Sequence, residues 1–216
     1  MKNRWQLIND NIIQEDKDAL ISFLSQPNVR FTQSEKVREF EKKWSEWVGV
    51  KHSVFINSGA SGNYIMVSIM KELKGKGEVI VPPVGWISDV APLVNLGMIP
   101  VFVDVNMTSL SITVENIKRA INENTVGITL VHALGFNAIN EELIKLAKDN
   151  DLFLIEDCCE SHGAKYNGQR IGVFGDVSNF SFYFGHHMTT IEGGMVCTND
   201  DKIYDYIKMF RSHGMI

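Results

Sequence analysis

From His52 onward, seven short apolar runs alternate with helical patterns: SVFIN, EVIVP, IPVFVDV, VGITLVHA, LFLIED, VSNFSFY and GMVCTN. Each run is brief and rich in Val, Ile or Phe, as strands buried on both faces must be. Between them, stretches such as NEELIKLAKDN and SGASGNYIMVSIMKEL carry a helical period. A chain that alternates in this way needs crossover connections, which place helices on both faces of one sheet. The prediction is an α/β fold: a three-layer α/β/α sandwich around a mainly parallel seven-stranded sheet. Ligands of such sheets collect at the carboxyl ends of the strands.

Residues 1–50 read as an N-terminal helical segment. In EKVREFEKKWSEWVG, Val37, Phe40, Trp44 and Trp47 recur at 3-4-3 spacing, and a glycine follows as C-cap. That stripe is packing. Residues 51–216 read as one large domain, with no repeat, low-complexity tract or Pro/Ser-rich linker to divide it.

Composition narrows the partners. A formal charge of −5 and a pI near 5.7 offer no basic face for nucleic acid or an anionic membrane. No apolar run is long enough to span a bilayer, and MKNRWQLINDNIIQED lacks the apolar core of a secretory signal, so a cytoplasmic location is expected. Cys158, Cys159 and Cys197 have neither disulfide-framework nor metal-ligand spacing, and read as reduced thiols with no metal site. Asn106-Met107-Thr108 matches a glycosylation acceptor, which a cytoplasmic chain would not use.

Three strand ends carry candidate chemistry. In INSGASGN a strand gives way to a helix through small residues, and the free N–H groups of a first helical turn suit a phosphate. Ala60 and Ser61 are the candidates, against the plain alternative of helix capping. In LFLIEDCCESHGA, Asp157 closes a strand, where it could hold a pyridine nitrogen protonated or merely cap a helix. In SFYFGHHMTTIEGG, Ser181 precedes His186 by five residues and a Gly193-Gly194 turn follows. That arrangement offers a hydroxyl for the phosphate and an imidazole that titrates near neutral pH, although a lone histidine is more often simply packed.

Taken together, the WVG helix end, NSGASGN, PVFVDV, IEDCCESHGA, SFYFGHHMTTIEGG and RSHGM resemble the nucleotide-sugar aminotransferases and dehydratases that use pyridoxal phosphate (PLP), the DegT/DnrJ/EryC1/StrS type of fold type I. The match runs over nearly the whole chain, and several motifs in the right order are more specific than any one. Within that family the anchoring stretch usually carries a lysine that forms a Schiff base with the cofactor. Here the aligned position is His186, and no lysine lies between Tyr166 and Asp201. The resemblance is therefore greatest to the family's histidine-bearing 3-dehydratases, as in colitose-type deoxysugar synthesis for lipopolysaccharide O-antigen.

The resemblance implies a set of roles. His186 would act as base and acid in place of the lysine, removing the C3 hydroxyl of a nucleotide-linked 4-keto-6-deoxy sugar. Pyridoxamine phosphate (PMP) would be the working form, reloaded by L-glutamate. Trp86 would stack on the ring, Asp157 would pair with the pyridine nitrogen, and Glu160 would sit near the ring substituents. Ser181, Ala60 and Ser61 would hold the phosphate. Phe31, Thr32 and His213 match positions facing the nucleotide-sugar, although Ser34 replaces a common glycine. Unaided, Trp86 reads as a core residue. Family members form homodimers and continue past the equivalent of Ile216 into a small domain, so the resemblance covers the large domain alone, completed elsewhere or truncated. Three other readings stay open: an iron-sulfur-assisted CDP-4-keto-6-deoxyglucose 3-dehydrase, a sugar aminotransferase, and a non-catalytic scaffold.

Overall fold

All seven apolar runs become strands of a single seven-stranded sheet in the computed structural model, which describes residues 11–215. The first ten residues of the predicted helical segment, and Ile216, lie outside the described residues. In chain order the elements are α1 (Gln14–Leu24), α2 (Glu35–Val48), β1 (His52–Ile56), α3 (Gly59–Lys74), β2 (Glu78–Val81), α4 (Ile87–Asn95), β3 (Ile99–Phe102), α5 (Val114–Ala120), β4 (Thr125–Val131) and α6 (Glu141–Asp149). There follow β5 (Phe153–Asp157), a small hairpin of β6 (Lys165–Tyr166) and β7 (Gln169–Arg170), β8 (Val177–Ser181), β9 (Gly194–Thr198) and α7 (Asp201–Arg211).

The strand order is β1-β9-β8-β5-β4-β2-β3. β3, β2, β4, β5 and β8 run parallel, and β9 alone is antiparallel to both neighbours, β8 and β1. The carboxyl ends of β1, β2, β4, β5 and β8 therefore meet along one edge of the sheet. This is the mainly parallel arrangement that the alternating pattern predicts, with helices on both faces.

Successive residues along the strands bury into two different cores, as the two-residue strand period requires. Ile80, Ile128, Leu130, Leu154 and Phe180 face a layer built by α2, α5 and α6 through Trp44, Val48, Ile117 and Leu143. Val79, Val81, Phe153, Ile155 and Val196 face α3, α4 and α7 through Met66, Ile69, Leu93 and Ile203. Trp44 is 3% exposed and meets the Phe180 and Phe182 rings edge-on at 5.2 and 4.8 Å. The predicted stripe on α2 is thus part of the main core. Gly49 ends that helix in the left-handed region, φ 94°, as the C-cap reading anticipates. α1 buries no residue.

One buried acid belongs to this framework. Glu156, next to Asp157 but on the opposite face of β5, accepts N–H bonds from Gly172, Phe174 and Gly175 and pairs with His132 Nε2 at 3.1 Å. Burial pushes its pKa up, but His132 and the glycine N–H groups outweigh that and leave it lowered. His132 Nδ1 accepts from the Ala138 N–H, so Nε2 carries the ring proton and donates it. Cys158 lies near this pair, close enough for the three to resemble a metal cluster. Both Glu156 oxygens are already taken by protein donors, which makes the pair a latch for the loop over residues 172–175. Among the described residues no helix is long and apolar enough to cross a membrane.

Candidate active site

The turn after β1 opens α3 with its first amides unfilled. Ser58 is the N-cap, and its Oγ accepts from the Ser61 N–H at 3.1 Å. Capping therefore falls on Ser58, leaving the N–H groups of Gly59 and Ala60 with no carbonyl a turn earlier to meet them. Ser181, at the end of β8, sits directly beside this turn: a β-carbon on Gly59 would lie 2.8 Å from Ser181 Cβ and 3.2 Å from its Oγ. Gly194, paired with Ser181 across the β8–β9 ladder, allows the same closeness, since a β-carbon there would come within 2.7 Å of the Ser58 carbonyl carbon. Ala60, Ser61 and Ser181 thus converge on one helix N-terminus, where the dipole favours an anion.

Asp157 closes β5 and is 6% exposed. One oxygen accepts from the Cys159 N–H at 2.9 Å, a local turn contact, and no helix follows it directly. The other accepts from Asn63 Nδ2 at 2.7 Å. The Asn63 amide also reaches Asp89 Oδ1 at 3.0 Å, and its Oδ1 accepts from Asn179 Nδ2 at 2.9 Å. Asp89 Oδ2 in turn accepts the backbone N–H of Trp86 at 2.9 Å. A buried polar network therefore joins α3, α4, β5 and β8 under the site.

Trp86 itself is 73% exposed, which overturns the core reading that its residue type alone favours. It stands at the N-terminus of α4, just past the carboxyl end of β2, with its side chain open to solvent. A flat indole held by its backbone on a buried carboxylate is placed to cover a planar ligand.

His186 lies in the loop between β8 and β9, folded back by its N–H to the Tyr183 carbonyl at 2.9 Å. The loop is closed by Thr189 Oγ1 and the Thr190 N–H, both bonded to the Phe182 carbonyl. The His186 ring is half-buried and its Nδ1, shielded from solvent, has no hydrogen-bond partner. Burial lowers its pKa, while the charges of Glu160 and Asp157 pull the other way. On balance the pKa is lowered, which favours the neutral imidazole. Glu160 Oε2 accepts the Leu134 N–H at 3.0 Å, which fixes the loop after β4 at φ 53°. His187 is exposed and tilts against His162 at 5.5 Å.

The segments that carry Phe31, Thr32 and His213 lie near one another. Gln33 Nε2 bonds Ser212 Oγ at 3.3 Å, which draws the turn before α2 to the end of α7. Phe31 is 63% exposed, and Thr32 and His213 are exposed as well.

Four residues of the site escape the sequence reading. Ser58 and Asn63 lie inside the INSGASGN motif, where a helix-opening turn made every polar side chain a candidate. Asp89 could have been found as the acid three residues after Trp86, a spacing that satisfies a helix's first turn. Asn179 carries no local signal, because only strand order brings β8 against α3. Burial pushes the three thiols up, Cys197 to about 12, which keeps them unreactive.

Residues 11–216 match the model of the DegT/DnrJ/EryC1/StrS aminotransferase family. GDP-4-keto-6-deoxy-D-mannose 3-dehydratase of Yersinia pseudotuberculosis is 37% identical over 189 residues, covering 85% of this chain and 48% of that protein. GDP-perosamine synthase of Vibrio cholerae is 36% identical over 180 residues, 83% of this chain and 49% of that one. The structure of the E. coli GDP-4-keto-6-deoxy-D-mannose-3-dehydratase with bound hydrated PLP superposes with a TM-score of 0.90 at 33% identity, over 98% of this chain and 55% of that one. The chain spans about half the length of the curated relatives it matches.

Proposed function

The chain belongs to the DegT/DnrJ/EryC1/StrS aminotransferase family, and from that premise we propose that it binds pyridoxal or pyridoxamine phosphate and modifies a nucleotide-linked sugar. Within that class we assign it the 3-dehydratase reaction: loss of the C3 hydroxyl from a 4-keto-6-deoxy sugar, with L-glutamate as amino donor and ammonia released. The observation that carries the assignment is His186, a neutral imidazole with an unpartnered Nδ1 where the family's lysine would stand.

The residues present fit the coenzyme. The open N–H groups of Gly59 and Ala60, with Ser61 and Ser181, would hold its phosphate. Asp157 would hold the pyridine nitrogen protonated, and the exposed Trp86 indole would lie over the ring. The Glu160 charge acts on His186 from the loop after β5. When bound, the coenzyme supplies an electron sink next to the sugar carbonyl.

His186 does the proton work. Being neutral, it can accept a proton at neutral pH, and the imidazolium so formed gains from the Asp157 and Glu160 charges. It can then return the proton to the departing C3 hydroxyl, which leaves as water. With no lysine in this loop, nothing on it would hold the coenzyme covalently, and proton transfer at that position would fall to His186.

The test is to incubate the chain with PMP and a panel of nucleotide-linked 4-keto-6-deoxy sugars and to assay released ammonia. Ammonia from at least one sugar is expected, together with its loss in H186N, which should still bind PMP. Full activity in H186N would overturn the assignment. GDP-perosamine synthase among the relatives favours a second reading, transfer of the amino group to the sugar; an aminated sugar in place of ammonia would establish it.

A further inference from the structure

Two carboxyl groups meet at the floor of the site. Asp89 and Asp157 are 3% and 6% exposed, and Asn63 Nδ2 reaches them at 3.0 and 2.7 Å. One amide nitrogen thus holds an oxygen of each carboxyl, which sets the two acids side by side. Two carboxylates in such contact cannot both be ionised in a buried place, so the pair shares a proton.

The surroundings decide where that proton sits. Asp157 is met by the shorter bond from Asn63 and by the Cys159 N–H at 2.9 Å. Asp89 has the longer bond from the same amide, and the Trp86 N–H at 2.9 Å. Burial raises the Asp89 pKa well above the usual carboxylate range, the charge of Asp157 raises it further, and Glu160 adds to this. The Trp86 N–H opposes. Of the other ionisable neighbours, the Cys159 thiol is itself pushed up by burial and by these acids, and His186 feels the Asp157 charge.

We propose that Asp89 is a positioning residue: as a neutral acid it donates its proton to Asp157, fixes that carboxylate as the ring-facing anion, and ties it through the Trp86 backbone to the stacking indole. Its consequence for the coenzyme rests on the function proposed above. The proton-sharing pair does not.

The two can be separated by experiment. In the ligand-free 216-residue chain at pH 7, infrared spectroscopy should show the carbonyl stretch of a neutral carboxylic acid, and that band should vanish in D89N. Its absence from the wild type, or its persistence in D89N, would overturn the proposal. In PMP titrations D89N, which keeps a neutral donor but gives up one acceptor oxygen, should bind more tightly than D89L. D89L removes the donor and should bind about tenfold more weakly than wild type or worse, the size of one lost hydrogen bond to a charged group. Wild-type affinity in D89L would also overturn it. A wild-type chain that takes up no PMP would remove the coenzyme reading, while the infrared bands would still decide the pair.

Discussion

His162 shows how one side chain can be tuned by crowding. Both its ring nitrogens are buried without partners, and its ring packs against Trp44, Phe180, Phe182 and His187. Burial first, then the two neighbouring histidines, lower its pKa to about 4. A histidine with a depressed folded pKa binds protons more readily when unfolded. Stability that is intact above the ordinary value near 6.5 is therefore lost as pH falls toward 4. Thermal melts of the wild type should show a falling Tm across that window, and H162F should flatten the profile. Parallel profiles for the two proteins would show that this ring does not titrate as described. Burial lowers the His186 pKa in the same way, so the imidazole proposed as proton acceptor and the acid sensitivity of the fold share one physical cause.

At the scale of elements, the site depends on how closely α3 lies against β8. A β-carbon on Gly62 would fall 2.1 Å from Asn179 Oδ1, inside any tolerable contact. Asn179 cannot simply move, since its Nδ2 bonds both the Gly59 carbonyl at 2.7 Å and Asn63 Oδ1. Gly62→Ala should therefore push the helix N-terminus away from Ser181 and cost about 1–3 kcal/mol, as overpacked cores do. Urea denaturation would measure that cost, and a PMP titration would show weaker binding in the folded variant. An unchanged midpoint and unchanged affinity would mean that α3 has more room than this contact allows. The N-terminus of α3 thus acts as one rigid piece with the Asp157 floor.

Across the whole molecule, α2 joins the sheet by a stack of rings. Trp44 meets Phe40, Trp47, His162, Phe180 and Phe182, and it belongs to the same core as Ile128 and Leu143. Removing that indole should cost about 3–5 kcal/mol. Because both cores pack against the same sheet, Trp44→Ala should lower one cooperative unfolding transition. A calorimetric trace in which α2 melts separately, with the sheet transition unmoved, would show two independent units.

Much of this architecture was legible in the chain itself. The seven runs, the α2 stripe and the Gly49 cap follow from periodicity and backbone freedom, which are local properties that each segment carries wherever it is placed. The strand ends at Asp157 and Ser181 and the small-residue turn at Ala60 and Ser61 followed from the same logic, because parallel sheets gather their loops on one edge. What sequence could not supply was adjacency. Asn179, Asn63, Asp89 and Asp157 are far apart in the chain and meet only because strand order sets β8 beside β5 and lays α3 and α4 over them. The exposure of Trp86 and the neutrality of His186 were likewise decided by tertiary packing. An indole is core or surface according to what covers it, and an imidazole gains or loses its charge according to the water and carboxylates that packing leaves around it.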